Sequence, residues 1–417
     1  MMIAEILSTG DEIRSGALVD SNSAYIAEKL EEAGLEVARH NCVGDDLEIL
    51  VSLMREIGER ADVALVTGGL GPTTDDVTTE AAAKAAGVEL AIDDEGLRSL
   101  EDFYKKRNFP MSPSNRKQAM LPKGSDCLYN PVGTAPGFNL KIGRCFFFFL
   151  PGVPFEMKKM LSDGVLPRIA ELRGENREFH LLKTLSSFGL GESVAGEKMA
   201  ELPEKFPGIK LGLRAKFPEI QIKLYAKGKD EVALREQLEK AAEWAVEKMG
   251  NRVFSLEGRS METVVGSLLK EKEATLAVAE SCTGGLISDW ITNVSGSSDY
   301  FLFSGVTYSN EAKMKVLGVS PDTLTKYGAV HEETAKEMAE GARRVAGAGY
   351  GLSTSGIAGP AGGTDEKPVG TVCIGLATPQ GVSARQFHFT FGRRLANKTI
   401  FAMTALNMLR QELSKDA

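Results

Sequence analysis

Thr275-Leu276-Ala277-Val278-Ala279-Glu280-Ser281-Cys282-Thr283-Gly284-Gly285 is an apolar run that ends in polar and flexible residues, and Leu286 to Val294 after it carries a helical pattern. It reads as a buried strand turning into a helix, the repeating step of an α/β fold. The turn puts a hydroxyl at a strand-to-helix corner. There, backbone N–H groups at the helix start can stabilise an anion, and paired glycines let a ligand approach the main chain. Ser281 is therefore the first candidate nucleophile.

Outward from this corner the alternation continues. Strands are expected at Tyr300 to Tyr308, Tyr350 to Ser355, Thr371 to Ala377 and Arg385 to Phe391. Helices are expected at Ser260 to Glu273, Glu311 to Leu317, Glu332 to Ala346 and Leu395 to Leu413, so residues 260–417 read as one α/β domain. Upstream, residues 178–255 hold two β-like runs, Lys183 to Phe188 and Gln221 to Lys227, around helical patterns: a small α+β unit with no evident site between Glu197 and Gly250. A polar linker, Arg173 to Glu178, precedes it.

Residues 1–172 alternate again. Strand-like runs at Ile3 to Leu7, Glu36 to Cys42, Val63 to Val66 and Arg144 to Leu150 are interspersed with helical patterns such as Ser23 to Ala33 and Asp46 to Glu59, a three-layer α/β signature. Cys145-Phe146-Phe147-Phe148-Phe149-Leu150 shows no alternation, as a strand buried on both faces requires.

At 417 residues the chain is too long for one core, and 43% apolar with 25% charged residues is an ordinary globular composition. A formal charge of -8 gives no broad attraction to nucleic acid or anionic membranes. No apolar stretch approaches the roughly 20 residues of a membrane span, and the start lacks a basic region followed by a long apolar one, so a cytoplasmic protein is expected. Its five cysteines form no C-x-x-C pair, which argues against a disulfide framework or a zinc site.

A serine needs a base. In the last domain only His331, which precedes a helical run like a cap, and His388, which alternates along a strand, are histidines. Lys313 is the better candidate. In Thr307-Tyr308-Ser309-Asn310-Glu311-Ala312-Lys313 it follows a capping Asn310 into the first helical turn, where a positive helix end and partial burial lower a lysine's pKa. Tyr308 is placed to orient the amine or donate to a substrate. A third strand exit, Ser355-Gly356-Ile357-Ala358-Gly359-Pro360-Ala361-Gly362-Gly363-Thr364, points to one shared pocket.

These segments, with Lys367-Pro368-Val369-Gly370-Thr371, resemble the CinA C-terminal domain, the nicotinamide-nucleotide amidohydrolases. The resemblance implies hydrolysis of the carboxamide of nicotinamide mononucleotide to nicotinate mononucleotide and ammonia, without a cofactor. Ser281 would attack, Lys313 would take its proton, and N–H groups of Thr283, Gly284 and Gly285 would hold the oxyanion. Gly356, Ile357, Ala358, Gly359, Gly362 and Gly363, with Asn310, would bind substrate, and Arg394 would meet its phosphate. Gly392-Arg393-Arg394 departs from the family's usual Gly-Asp-Arg.

In the first domain, Thr67-Gly68-Gly69-Leu70-Gly71-Pro72-Thr73-Thr74-Asp75-Asp76 follows a strand and is expected to open a helix, a geometry that exposes N–H groups to phosphate. Ser8-Thr9-Gly10-Asp11-Glu12 and Gly44-Asp45-Asp46 follow other strands, and carboxylates beside a phosphate-binding turn suit Mg²⁺-assisted chemistry. With Asn22, Asn115 to Gln118, Asn130 to Phe138 and Leu150 to Glu156, this pattern resembles the CinA N-terminal, molybdopterin-binding-like domain. That implies a pyrophosphatase dependent on a divalent metal (Mg or Co) and on K, splitting ADP-ribose into AMP and ribose 5-phosphate. Its metal candidates are Asp11, Asp45, Asp75 and Asp76, and its substrate residues Gly68, Gly69, Gly71, Thr73 and Asn22.

The middle unit resembles the family's KH-like module but lacks the G-x-x-G loop that clamps RNA, so no nucleic-acid partner is expected. The whole reads as a bifunctional hydrolase, expected as a homodimer. The alternatives are a pterin- or nucleotide-binding protein without turnover and a competence-linked scaffold. Lys313 speaks against the first, and the acidic balance against direct DNA contact.

Overall fold

The computed structural model describes residues 2–174 and 178–415; residues 175–177 of the expected linker lie outside them. The chain forms two compact units, Met1–Leu182 with Ala226–Gln237, and Lys183–Tyr225 with Leu238–Ala417.

The first unit is built on strands β1 (Ile3–Thr9), β2 (Glu36–Val43), β3 (Val63–Thr67), β4 (Leu90–Ile92), β5 (Met120–Pro122), β6 (Asp126–Leu128), β7 (Gly137–Ile142) and β8 (Cys145–Leu150). Six of them form a sheet in the order β2-β1-β3-β8-β7-β6, while β4 and β5 pair separately. β2, β1, β3 and β8 run parallel, so Thr9, Val43, Thr67 and Leu150 end on one edge of the sheet.

The phenylalanine run explains the layering. Phe147 and Phe149 join one apolar core with Leu7 and Val66, whereas Phe148 and Leu150 join the core on the other face with Ile6 and Leu65. Burying each such ring contributes roughly 1.5–3 kcal/mol. Phe149 also stacks on Phe138 of β7 with centroids 4.3 Å apart.

Further along come β9 (Phe179–Phe188), β10 (Ile209–Lys216), β11 (Glu219–Gly228) and β12 (Val253–Ser255), a four-stranded sheet in the order β10-β11-β9-β12. Ile209–Lys216 is a strand beyond those expected, although Ile209, Leu211 and Leu213 alternating with Lys210, Gly212 and Arg214 is the period-2 pattern of a half-buried strand.

The second unit's other sheet comprises β13 (Leu276–Glu280), β14 (Phe301–Val306), β15 (Tyr350–Gly356), β16 (Thr371–Thr378) and β17 (Gly381–His388), in the order β14-β13-β15-β16-β17. β14, β13 and β15 are parallel, and β16 and β17 antiparallel. Val278, Leu352 and Ile374 face a core with Phe401 of the closing helix, while Ala277 and Ala279 face Leu317 and Met338 of two helices on the other side. β17 ends earlier than its aromatic pattern implies. Its partner β16 begins at Thr371, opposite His388, and beyond that pair the Phe389 N–H reaches across to Gly370 O at 3.0 Å.

Candidate active sites

β13 delivers Ser281 to the sheet edge. Its N–H donates to Thr354 O at 2.9 Å, which fixes the first turn residue to β15. Ser281 is not the helix cap. The helix Leu286–Thr292 starts further on, and buried Glu280 caps it: its carboxylate accepts from the N–H groups of Gly285 (2.9 Å), Ile287 (3.2 Å) and Ser288 (3.0 Å). A carboxylate fits there because several helix N–H groups lack intrahelical partners. The expected oxyanion donors are corrected accordingly, since the Gly285 N–H is already taken. Thr283 turns its hydroxyl inward to Thr354 at 2.7 Å, so its side chain does not face a ligand.

The helix Asn310–Leu317 brings in Lys313, which is 1% exposed. Its Nζ donates to Ser281 Oγ (3.2 Å) and contacts the carbonyl oxygens of Thr307 (2.9 Å) and Tyr308 (3.4 Å). Burial holds the amine below the usual lysine range. Two carbonyls can only accept, so a neutral amine that keeps its two N–H groups on them turns its lone pair toward the serine hydroxyl. The adjacent Cys282 is no rival nucleophile, because burial pushes its thiol up to about 12.

Two expected roles change. Ser309, not Asn310, caps the lysine's helix, accepting from Ala312 N–H at 3.1 Å, and Asn310 is exposed. The Tyr308 ring is also exposed; its backbone oxygen holds the amine, while its hydroxyl accepts from Arg394 Nη2 at 3.0 Å. His331 caps the helix Glu332–Ala346 through Nδ1, as its position implied.

The glycine-rich segment is knitted mostly to its own surroundings. The Ile357 N–H donates to Thr371 O, Ala358 O accepts from Asn397 Nδ2 at 3.0 Å, and Gly359 O accepts from Arg394 Nη1 at 2.8 Å. A Cβ on Gly356 would come within 2.6 Å of Thr371 O, so close strand pairing requires glycine there. Gly362 and Gly363 are exposed.

The structure adds two residues that the sequence did not single out. Asn397 is fully buried with Oδ1 unpartnered among the described residues, and Lys398 Nζ lies 3.5 Å from where a Gly284 Cβ would stand. An asparagine one turn before Phe401 on the core-facing side of the helix was the available signal for the first.

In the first unit, the parallel strand ends enclose a cavity of about 470 Å³. Gly68, Gly69, Gly71, Asn22, Asp45, Asp75 and Asp76 line it, together with Glu156 and Gln118, two polar side chains that join the expected set. Gly69 has φ +66°, and a Cβ there would strike the Thr78 hydroxyl, so this backbone path needs glycine. The loop does not itself open a helix; that helix begins at Thr78. Thr73 instead braces the loop, its N–H donating to Asp76 Oδ2 at 2.9 Å. Asn22 Nδ2 holds Thr67 Oγ1 (3.0 Å) and Gly152 O (2.8 Å), and among the described residues its buried Oδ1 has no partner.

Asp11 departs from its expected role. Its carboxylate pairs with Arg14 Nε at 3.0 Å, while its N–H donates to Asp45 Oδ2 at 3.1 Å. Burial first, then the negative charges of Asp11, Glu12 and Asp75, push the Asp45 carboxyl up. Among the described residues no three acids, histidines or cysteines gather closely enough to hold a metal by themselves. One or two carboxylates completed by ligand phosphate oxygens is the usual Mg²⁺ arrangement, and Asp45 with Asp75 fits it.

Comparison with known proteins accounts for each region. The CinA C-terminal domain matches residues 258–413, a probable molybdopterin binding domain residues 5–171, and the damage-inducible protein CinA KH domain residues 182–255. The chain is 54% identical over 412 residues to a CinA-like protein of Desulfosudis oleivorans, covering 99% of this chain and 100% of that one. It is 48% identical over 416 residues to a CinA-like protein of Desulforapulum autotrophicum, covering 99% and 98%. A crystal structure of competence/damage inducible protein CihA from Agrobacterium tumefaciens is 36% identical, covers 37% of this chain and 94% of its own, and has a TM-score of 0.36. Sheet order and matched domains define a three-module α/β protein: molybdopterin-binding-like, KH-like, and CinA C-terminal. The chain belongs to the CinA family. Among the described residues no helix is long and apolar enough to cross a membrane.

Proposed function

We propose that the C-terminal module hydrolyses the carboxamide of nicotinamide mononucleotide, giving nicotinate mononucleotide and ammonia. The observation that carries this reading is the buried Lys313 amine, 3.2 Å from Ser281 Oγ and held by two carbonyls. Ser281 Oγ bonds to the amide carbon as its proton passes to Lys313. The tetrahedral adduct expels ammonia, which takes that proton, leaving an acyl ester on Ser281. Water adds to the ester, and its proton returns through Lys313 to the serine oxygen as the carboxylate leaves. The Thr283 and Gly284 amides are the oxyanion candidates of the turn, and Arg394 and Lys398 supply positive charge for the phosphate.

The first unit is proposed to cleave ADP-ribose to AMP and ribose 5-phosphate. Its glycine-lined cavity and the crowded Asp45 carboxyl support this. Asp45 and Asp75 would hold a divalent cation, Mg or Co, and K would serve as a second ion. Such a cation supplies charge neutralisation at the pyrophosphate. A homodimer is the proposed assembly.

The test is ammonia release from nicotinamide mononucleotide by the full chain. Ser281→Ala should abolish it and leave ADP-ribose cleavage intact; undiminished release would remove Ser281 from the chemistry.

A further inference from the structure

A second cleft, of about 740 Å³, lies within the second unit, lined by the turn before β11, the start of that strand and the residues around the end of β17. β17 and the residues beyond it place Phe387, Phe389 and Phe391 at alternate positions along this wall. Phe387 and Phe389 stack at 6.3 Å, and Phe391 meets Phe217 edge-on at 5.0 Å. Phe217 is 49% exposed and Phe391 40% exposed, which is costly for such large rings in contact with one another. A flat aromatic ligand suits these walls.

The charged groups are few and of defined sign. Glu219 is 7% exposed and lines the cleft, and its carboxylate accepts no hydrogen bond among the described residues. Burial pushes its carboxyl up, the mark of a buried acid short of donors. Arg252 and Arg385 also line the cleft, and neither guanidinium makes a hydrogen bond or ion pair among the described residues. A purely apolar occupant would leave the buried Glu219 carboxylate without a donor, whereas Arg252 and Arg385 are exposed and stay solvated until an anion meets them.

We infer that this cleft binds a purine mononucleotide with donor groups on its base, guanine fitting best. The base stacks among the phenylalanines, its edge donates to Glu219, and its phosphate meets Arg252 and Arg385. An ionised carboxylate only accepts, and guanine turns two adjacent N–H donors along one edge toward such a pair of oxygens. Adenine offers a single amino group, and hypoxanthine a single ring N–H. The phosphate suits guanidinium because both partners form paired hydrogen bonds. Neither proposed reaction uses these residues.

The experiment is photolabelling of the full chain with GMP carrying an azide on the base, followed by mapping of the modified peptide. Label is expected in the segment spanning Arg385 to Phe391, displaced by unlabelled GMP, and displaced less well by AMP, IMP and guanosine. Glu219→Gln, which preserves size, and Arg252→Ala with Arg385→Ala should each weaken GMP binding by roughly tenfold or more. Melting curves of the variants separate lost binding from lost folding. Label confined to the first unit, labelling insensitive to folded variants, or no labelling overturns the inference. So does protection of this segment by self-association alone, which would make a second copy of the chain its occupant.

Discussion

Lys313 meets Ser281 through Nζ at 3.2 Å, and its other hydrogen-bond partners are neutral backbone oxygens. With no carboxylate in this set to hold a proton, desolvation decides the charge, and the amine sits below its usual 10.5. In the proposed reaction the base is the neutral form, so deamidation should be present above the lowered pKa and lost as pH falls through it. The rising limb of kcat/KM against pH should therefore lie below the ordinary lysine range. Lys313→Arg stays protonated and should lower kcat by roughly 10²–10⁴. A pH-independent rate would show that this amine transfers no proton.

Tyr308 and Arg394 divide differently. The Tyr308 hydroxyl touches Arg394 rather than the reacting pair, so Tyr308→Phe should keep kcat within about twofold, in line with an exposed hydrogen bond. Arg394→Ala should raise KM for nicotinamide mononucleotide roughly tenfold with little change in kcat, the signature of lost uniform binding. Steady-state kinetics decide both, and a large kcat loss in Tyr308→Phe would restore the hydroxyl to the chemistry.

Asp45 and Asp11 should separate in metal titrations of ADP-ribose cleavage. Asp45 titrates above its ordinary 3.8, so metal activation should begin to fail, as pH drops, earlier than for an ordinary carboxylate. Asp45→Asn should raise the metal concentration needed by roughly tenfold or more. Asp11→Asn should change it little, because that carboxylate is occupied by Arg14. Equal effects of the two substitutions would make the acids a single diffuse field.

Glu280→Gln replaces an acceptor of several N–H groups by an amide that brings donors of its own toward them. The cost should be about 1.5–3 kcal/mol, read as a lower melting temperature of the full chain. An unchanged melting temperature would mean the cap adds nothing to stability.

Much of this was legible in the chain. The run Cys145 to Leu150, apolar at every position and closed by Pro151-Gly152, is too short for a helix and has to be a strand buried on both faces. The strand exits after β13 and β14 likewise carried Ser281 and Lys313, which the fold brings into contact. Partner assignments were not legible. Tyr308 uses its main chain where its side chain was expected, and Asp11 lends an N–H where a carboxylate was expected. Such choices depend on a residue distant in sequence, Arg394 in one case and Asp45 in the other. Lys398 was hidden because it sits on a long closing helix whose pattern is dominated by its core face, and Asn397 was marked only by its place on that face.

Glu280 also determines how the C-terminal site must greet its substrate. The seat at the helix start, where a phosphate could have settled on backbone amides, is filled by the protein's own carboxylate. On the proposed reaction, the substrate's negative charge would be left to side-chain cations such as Arg394 and Lys398, and cations open to solvent are screened by ions. Recognition at this site is thereby tied to the ionic strength of its surroundings: added salt should raise KM while the buried lysine and serine keep kcat steady.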